Sequence, residues 1–188
     1  ILLFVPALRQ QPLFDDPDNV ISLNAQLSGR LDNLVAEVLQ IKGWKHTAID
    51  LSGHLRGLPV VDRLQGRINL RSLKTSGHDL KAFLPDSLKN RIELPASILV
   101  KGTVEAGGDN AGGHLSITTS SGNMLIDGSI QHYRDSLAAA YTAQLQVEGL
   151  QMGALLKDTS LQDLSADFRL EGKGTSLSAA DAVLQGNI

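Results

Sequence analysis

Apolar and polar residues alternate along most of this chain, with a period of two. In the segment Val20–Asp32 every odd position from 21 to 31 holds an apolar residue or glycine, and every even position from 22 to 32 is polar. A strand with one apolar face and one polar face produces this period. The alternation predicts ten strands: Val20–Asp32, Val35–Ile41, Ile49–Leu58, Leu64–Arg71, Ile98–Glu105, Leu115–Thr119, Met124–Ile130, Tyr141–Val147, Leu164–Gly172 and Ala182–Ile188.

The segments between these strands predict hairpins and very little helix. Ala106–Gly113 reads AGGDNAGG, which predicts a flexible hairpin loop, and Ser120–Asn123 predicts a tight turn. Hairpin turns join antiparallel strands, so at least part of the sheet is antiparallel. Short helices are predicted at Asp79–Leu84, Asp86–Arg91 and Gln151–Lys157. Two or three helical turns are too few to cover the apolar face of such a sheet.

Composition narrows the class of protein further. Hydrophobic residues make up 42% of the 188 residues but aromatic residues only 4%, so the apolar surface is aliphatic. The net charge of −3, without a run of lysine or arginine, argues against nucleic acid as a partner. No segment approaches the roughly 20 apolar residues of a membrane-spanning helix. Cysteine is absent, which excludes disulfides and thiolate chemistry.

The chain does not begin with methionine, so we expect it to be a fragment of a longer protein. Residues 1–19 are predicted to be a leading segment or linker, because the alternation begins only after them. Residues 20–188 are predicted to form one repeat-type β domain.

Glycine recurs inside the strands in the phrase apolar-x-Gly-x-apolar, always on the apolar face. Glycine inside a strand weakens it and often marks a bend or a close approach of another backbone. The repetition therefore indicates a recurrent need for curvature or for room on the apolar side. Relief of crowding inside a closed sandwich or barrel is an equally good interpretation of the pattern. The six glycines are Gly29, Gly53, Gly66, Gly102, Gly128 and Gly186.

This phrase and two longer segments resemble the TamB/AsmA-like envelope proteins, especially the long TamB-type chains. Leu73–Pro85, followed by Leu94-Pro95, is similar to the family's strand, aspartate-led helical turn and Leu-Pro. Val147–Leu156, followed by Asp167–Gly174, is similar to the family's strand, turn, strand and Gly-x-Gly ending. The resemblance extends over about Ile21–Ile188.

The resemblance implies an all-β fold: a strongly twisted, mostly antiparallel sheet curled into an open groove, with one or two short helices. Such proteins are anchored in the inner membrane of diderm bacteria and cross the periplasm. They are linked to outer-membrane assembly and phospholipid traffic, and TamB-type members work with an outer-membrane barrel of the TamA kind. For this chain it implies a periplasmic location and phospholipid acyl chains as the ligand.

If the groove binds lipid, the apolar residues of the alternating strands line it without covalent chemistry. Each buried methylene contributes about 0.8 kcal/mol, so part of an acyl chain supplies useful affinity without any polar motif. The predicted lining residues are Leu23, Leu27, Leu51, Leu55, Ile68, Leu70, Val100, Ile126, Leu145, Val147, Phe168 and Leu170.

Motifs of catalysis and metal binding are missing from the sequence. None of the five histidines stands in a His-x-x-x-His spacing, and no Gly-x-Ser-x-Gly motif occurs. We therefore expect no catalytic residues, no metal site, no cofactor and no enzyme activity.

Two other functions fit the same pattern. The chain could be a scaffold or chaperone segment that receives a client strand at an exposed sheet edge during outer-membrane protein assembly. It could also be an unrelated secreted β-sandwich whose loops bind a partner, although so few aromatic rings argue against sugar binding. Alternation alone leaves open whether the sheet is open or closed.

Overall fold

The computed structural model describes residues 20–43, 45–60, 63–81, 83–89, 91–175 and 181–187. The predicted leading segment 1–19 lies outside them. Ten strands are present, one in each predicted segment. They are β1 (Ser22–Arg30), β2 (Asn33–Gly43), β3 (Thr47–Arg56), β4 (Gln65–Thr75), β5 (Ile98–Gly107), β6 (Asn110–Thr119), β7 (Gly122–Gln131), β8 (Ala140–Gln151), β9 (Asp163–Lys173) and β10 (Asp181–Asn187).

All ten strands form one antiparallel sheet in simple sequence order, from β1 to β10. Each strand pairs with its neighbours in the chain, so the sheet is a meander without crossovers, in which most connections are short and the β4–β5 connection is long. Across the described residues β1 and β10 each pair on one side only, so the sheet is not closed into a barrel. The predicted all-β, antiparallel, open fold is confirmed. The described strands form one layer, whereas a β-sandwich needs two.

The helices are few and short, and they stand where short helices were predicted. They are α1 (Gly77–Lys81), α2 (Asp86–Lys89) and α3 (Met152–Leu156). All three belong to connections at the same end of the sheet, here called the helical end. The opposite end, where residues 31–32, 108–109 and 132–139 connect strands, is called the loop end. None of the helices in the described ranges is long and apolar enough to cross a membrane.

The glycine-rich segment Ala106–Gly113 differs from its prediction as a flexible loop. β5 continues to Gly107 and β6 begins at Asn110, with the pair Gly107–Asn110 closing the hairpin. Only residues 108 and 109 form the turn. The strand-disfavouring composition is overridden because β4 and β7 pair with this part of β5 and β6 on both sides.

Three strands contain an extra residue, which the alternation does not reveal. The register shifts in β2 around Glu37, in β4 around Arg71 and in β8 around Gly149. In β4 the shift reverses the parity, so that Leu73 and Thr75 rejoin the apolar face after Leu70. Such bulges bend a strand and increase its twist. They also explain why the predicted fourth strand ended at Arg71, four residues before the observed end.

Candidate functional site

The strand registers assemble the apolar residues into four rows, of which rows 2 to 4 cross all ten strands and row 1 crosses the nine strands from β1 to β9. Row 1, nearest the helical end, is Leu23, Ile41, Ile49, Leu73, Val100, Ile117, Met124, Val147 and Ala166. Row 2 is Ala25, Leu39, Leu51, Leu70, Gly102, Leu115, Ile126, Leu145, Phe168 and Gly186. Row 3 is Leu27, Ala36, Gly53, Ile68, Val104, Gly113, Gly128, Ala143, Leu170 and Leu184. Row 4 is Gly29, Leu34, Leu55, Gly66, Ala106, Ala111, Ile130, Tyr141, Gly172 and Ala182. These rows are called the apolar face.

All twelve residues predicted to line a groove lie in these rows, on one face of the sheet. Row 1 contains Leu23, Val100 and Val147, and row 4 contains Leu55; the other eight belong to rows 2 and 3. Their role as lipid lining stays a prediction. The same face also holds Leu39, Val104 and Ile117, which were left out of the predicted set although the alternation of their own strands includes them. Counting every second residue along each strand would have identified these three residues as part of the apolar face.

Most of the apolar face is only half buried. Among the described residues no large side chain is fully buried, and the buried apolar residues are Ala139, Val147 and Ala166. Val147, at 7% exposure, and Ala166 both lie in row 1, and α3, which connects β8 to β9, contacts β9. In row 3, by contrast, Val104 is 44% exposed. The only row members that are buried in the described part of the chain are therefore Val147 and Ala166, both in row 1.

Glycines on the apolar face allow close approach between neighbouring strands. Gly66 and Gly102 have φ angles of 153° and 151°, which side-chain-bearing residues rarely adopt. A Cβ at Gly66 would stand 2.0 Å from the carbonyl oxygen of His54, and one at Gly102 would stand 2.0 Å from that of His114. At Gly66 and Gly102, therefore, the glycine of the apolar-x-Gly-x-apolar phrase provides room for a neighbouring backbone. At Gly128, a Cβ would meet only ordinary contacts.

A cavity of about 430 Å³ opens on the apolar face toward the loop end. Its apolar walls are Leu55, Leu64, Ile68 and Val104, joined by Gly66, Ala106, Tyr133 and Arg134, among others. Ligand sites in proteins commonly measure roughly 300–1,000 Å³ and are mostly apolar with a few polar groups. The arrangement suits an aliphatic chain that lies along the strands with a polar end at the loop.

The loop between β7 and β8 brings Tyr133 and Arg134 to this cavity. The backbone N–H of Tyr133 donates to the Asp109 carbonyl at 3.0 Å, and His132 Nδ1 lies 2.9 Å from Asp109 Oδ2. The Arg134 guanidinium stands 5.5 Å from the centre of the Tyr133 ring. These contacts hold the loop against the β5–β6 hairpin, a non-local arrangement that alternation could not predict.

Hydrogen bonds also hold the C-terminal part of the same loop, residues 135–139. The Asp135 carboxylate accepts hydrogen bonds from the backbone N–H groups of Leu137 and Ala138, which lower the pKa of Asp135. The N–H of Gly174, after β9, donates to the Ala139 carbonyl at 2.8 Å. The loop is thus fixed at both of its ends, so the residues that it presents to the cavity are preorganised.

The opposite face of the sheet is polar, and its charges pair with one another. Arg67 bonds Glu105 at 3.0 Å through Nε, and His114 Nδ1 lies 2.7 Å from Asp127 Oδ1. A recess of about 560 Å³ on this face contains these four side chains together with Arg169. Its larger volume does not make it the better candidate, because its charges are exposed and mutually compensated, as on an ordinary wet surface.

Arg71 has a structural role on this polar face that sequence reasoning missed. Its guanidinium donates to Asp50 Oδ1 at 2.7 Å and to the backbone carbonyls of Glu37 and Leu51 at 3.3 Å. The Glu37 carbonyl belongs to the bulge of β2, and Arg71 itself sits in the bulge of β4. Hydrogen bonds from Arg71 and then Gln40 lower the pKa of Asp50. Arg71 therefore ties two bulges together across β3.

The helical end is anchored by the buried carboxylate of Asp79 in α1. The Thr47 hydroxyl donates to Asp79 Oδ2 at 2.7 Å, and the backbone N–H of His46 donates to the same oxygen at 2.9 Å. Burial acts to raise the pKa of Asp79, but these hydrogen bonds outweigh it and hold the pKa below its ordinary value. The contacts attach the long β4–β5 connection to the β2–β3 hairpin.

Over the described ranges, no group of three or more histidine, aspartate or glutamate side chains is placed to hold a metal ion. No family model, curated protein or solved structure matches this chain.

Proposed function

We propose that this chain is a non-enzymatic segment of a TamB/AsmA-like envelope protein whose apolar face binds phospholipid acyl chains. In this proposal the segment works in the periplasm, as part of a longer protein anchored in the inner membrane. It passes phospholipid between membranes during outer-membrane biogenesis, with an outer-membrane barrel of the TamA kind as partner. The family assignment is supported by the sequence segments that resemble TamB-type chains, and the ligand by the geometry of the sheet.

One observation carries the lipid proposal: three apolar rows run across all ten strands and a fourth across nine, and most of their side chains remain half exposed. Soluble proteins rarely leave contiguous apolar surface beyond a few hundred Å² unless something binds there. The rows lie side by side on one continuous face, so an acyl chain can lie along a strand or pass from one strand to the next. Burial of eight methylenes contributes about 6 kcal/mol at ~0.8 kcal/mol each, before the cost of ordering the chain.

The structure offers a matched pair of substitutions that separates lipid binding from folding. Val104 on the apolar face is 44% exposed, and Leu125 on the polar face is 39% exposed. Both are aliphatic residues in the interior of central strands. Because a carboxylate at either position retains access to water, we expect Val104→Asp and Leu125→Asp to fold. Only Val104→Asp places a charge in the rows and beside the cavity.

The test is native mass spectrometry of protein purified from the envelope of a diderm bacterial host. The unmodified chain and Leu125→Asp should carry near-stoichiometric phospholipid, and Val104→Asp should lose at least about nine-tenths of it. Circular dichroism and thermal melts confirm that each variant is folded. Lipid-free unmodified protein, or equal lipid in both variants, would overturn the proposal.

A second candidate function is supported by a different feature, the exposed edges. β1 and β10 are exposed along their whole length, as the receiving edge of an assembly scaffold would have to be. If lipid is absent and an extended client peptide from an outer-membrane protein binds, the scaffold function replaces the lipid function. Substitutions in the rows of central strands would then have little effect on client binding.

A further inference from the structure

The cavity on the apolar face combines aliphatic walls with one cationic group. Five of its described lining residues belong to rows 3 and 4, so it opens directly onto the apolar face. Among the described lining residues, Arg134 is the only cation. Glu105 also borders the cavity, but its carboxylate bonds Arg67 on the polar face, on the opposite side of the sheet. The cavity is therefore amphipathic, with its cationic group on the loop at its end.

Tyr133 positions the Arg134 guanidinium at this cavity. The Tyr133 hydroxyl donates to the Gly108 carbonyl at 3.4 Å and accepts a hydrogen bond from Arg134 Nη2, also at 3.4 Å. The guanidinium also lies 5.5 Å from the centre of the Tyr133 ring. Because the hydroxyl proton is directed to Gly108, the donors toward a ligand come from Arg134. A guanidinium presents a planar fork of N–H donors that matches the oxygens of a phosphate and makes several contacts at once.

The carboxylates near this loop do not line the cavity. Asp109 Oδ2 lies 2.9 Å from His132 Nδ1, and the Asp135 carboxylate accepts hydrogen bonds from the backbone N–H groups of Leu137 and Ala138. Neither aspartate is among the described lining residues. The charge that the described walls present to a ligand is therefore positive, which favours an anionic group at this end.

The dimensions of the apolar face fit one acyl chain that starts at the loop end. In β3 the rows run from Leu55 in row 4 to Ile49 in row 1, a distance of about 20 Å at roughly 3.3 Å per residue. The hydrocarbon core of a bilayer is about 30 Å thick, so one acyl chain spans about 15 Å. A chain of that length lies within the rows and ends near row 1, whose Val147 and Ala166 are buried.

A second amphipathic cavity, of about 700 Å³, lies at the helical end. His46, His78 and Lys81 are among its lining residues, so it also presents cationic or titratable groups. None of its described lining residues belongs to the apolar rows, however, because they come from the connections between strands. A headgroup in that cavity would not have its acyl chain directly on the apolar face, so the loop end is favoured.

We propose that a phospholipid on the apolar face lies with its phosphate on the Arg134 guanidinium and its acyl chain along the strands toward row 1. This inference rests on the proposed function and adds to it the position and the chemical class of the headgroup contact, a phosphodiester anion. The site therefore selects phosphate-bearing lipids over uncharged diacylglycerols with the same chains.

Competition between two lipids that differ only in the headgroup tests this selection. Delipidated protein is mixed with detergent micelles that contain equal amounts of palmitoyl-oleoyl-phosphatidylglycerol and palmitoyl-oleoyl-glycerol, and native mass spectrometry gives the ratio of the two bound lipids. Arg134→Gln should lower the ratio of phospholipid to diacylglycerol about threefold to tenfold. The matched control Arg169→Gln removes an exposed guanidinium from the polar face and should leave the ratio unchanged. Comparison between variants cancels any difference in how readily the two lipids leave the micelle.

The orientation of the bound lipid is measured on the unmodified chain, so it does not depend on the folding of a variant. A phospholipid that carries a nitroxide on its headgroup broadens the nuclear magnetic resonance signals of nearby backbone amides. We expect broadening at Asp109 and Tyr133, at the loop end, and none at Ser121 and Leu155, at the helical end. Inorganic phosphate at a concentration equal to that of the lipid should not reverse this broadening, because the acyl chain supplies most of the affinity.

Broadening at the helical end, or equal broadening at both ends, overturns the inference. So do equal lipid ratios in folded Arg134→Gln and Arg169→Gln, and displacement of the phospholipid by inorganic phosphate, which would indicate a site for free anions. In each of these cases lipid still binds the apolar face, and the proposed function stands. If neither lipid binds the unmodified chain, the proposed function and this inference both fail.

Discussion

The two faces of this sheet are built from the same ten strands, yet they use opposite means of stabilisation. The apolar face consists of rows of aliphatic side chains that are incompletely covered, with Val147 and Ala166 among its few buried members. The polar face consists of short-range ion pairs and hydrogen bonds, such as Arg67–Glu105 and His114–Asp127. The difference shows that a single-layer sheet can satisfy its polar groups locally, while most of its apolar side chains remain only partly covered.

Val147 provides the largest expected effect, because it is the most buried large residue of the apolar rows. We expect Val147→Asp to reduce the free energy of unfolding by about 3 kcal/mol or more, since a charge would be buried without a partner. Leu125→Asp on the polar face should cost less than about 1 kcal/mol. Urea denaturation of both variants measures the difference, and equal losses would mean that the two faces are equally covered.

A substitution of Asp79 tests a third part of the molecule, the helical end, separately from the two faces of the sheet. Asp79→Ala should cost about 1–3 kcal/mol, because the Thr47 hydroxyl and the His46 N–H lose their acceptor. The pKa of Asp79 is lowered on folding, so its contribution is complete above its ordinary value of 3.8 and is lost as pH falls below it.

The free energy of unfolding, measured between pH 6 and pH 2, tests whether this contribution is lost as pH falls. A carboxylate of lowered pKa titrates within about this range. The unmodified chain should lose more stability over the acid part of the range than Asp79→Asn does. Parallel curves for the two proteins would exclude a role for the ionised Asp79 carboxylate.

Substitution of Arg71 tests whether its contacts on the polar face stabilise the sheet. Because its guanidinium joins the bulges of β2 and β4, Arg71→Ala should lower the thermal midpoint by about 2–4 °C. Arg71→Lys should recover only part of this loss, since an ammonium cannot reproduce the planar set of donors. Melting curves followed by circular dichroism check the prediction, and full recovery by lysine would show that charge alone matters.

The smallest effect is expected at the exposed His114–Asp127 pair. Both side chains are more than half exposed, so Asp127→Ala should change the free energy of unfolding by less than about 0.5 kcal/mol. A loss comparable with that of Val147→Asp would contradict the distinction between the two faces. Denaturant titration at low and high salt resolves the small electrostatic part.

Alternation was sufficient to predict the strands and the face to which each of the twelve candidate residues belongs, because parity is a local property. It could not predict the bulges, since the parity change after Arg71 depends on pairing with β3 and β5. It also missed the Tyr133–Arg134 loop and the Asp79 anchor, both of which depend on residues distant in sequence. Alternation could not predict that the sheet is open, because the strands of a closed core would show the same alternation.

Photo-crosslinking of lipid to the two faces tests the central claim most directly. A benzophenone-bearing residue replaces Leu55, which lines the cavity on the apolar face, or Leu125 on the polar face, in protein irradiated within the host envelope. The mass of each adduct is then measured. The account predicts phospholipid adducts at position 55 and none at position 125. Equal adducts at both positions, or protein adducts alone at position 55, would contradict it.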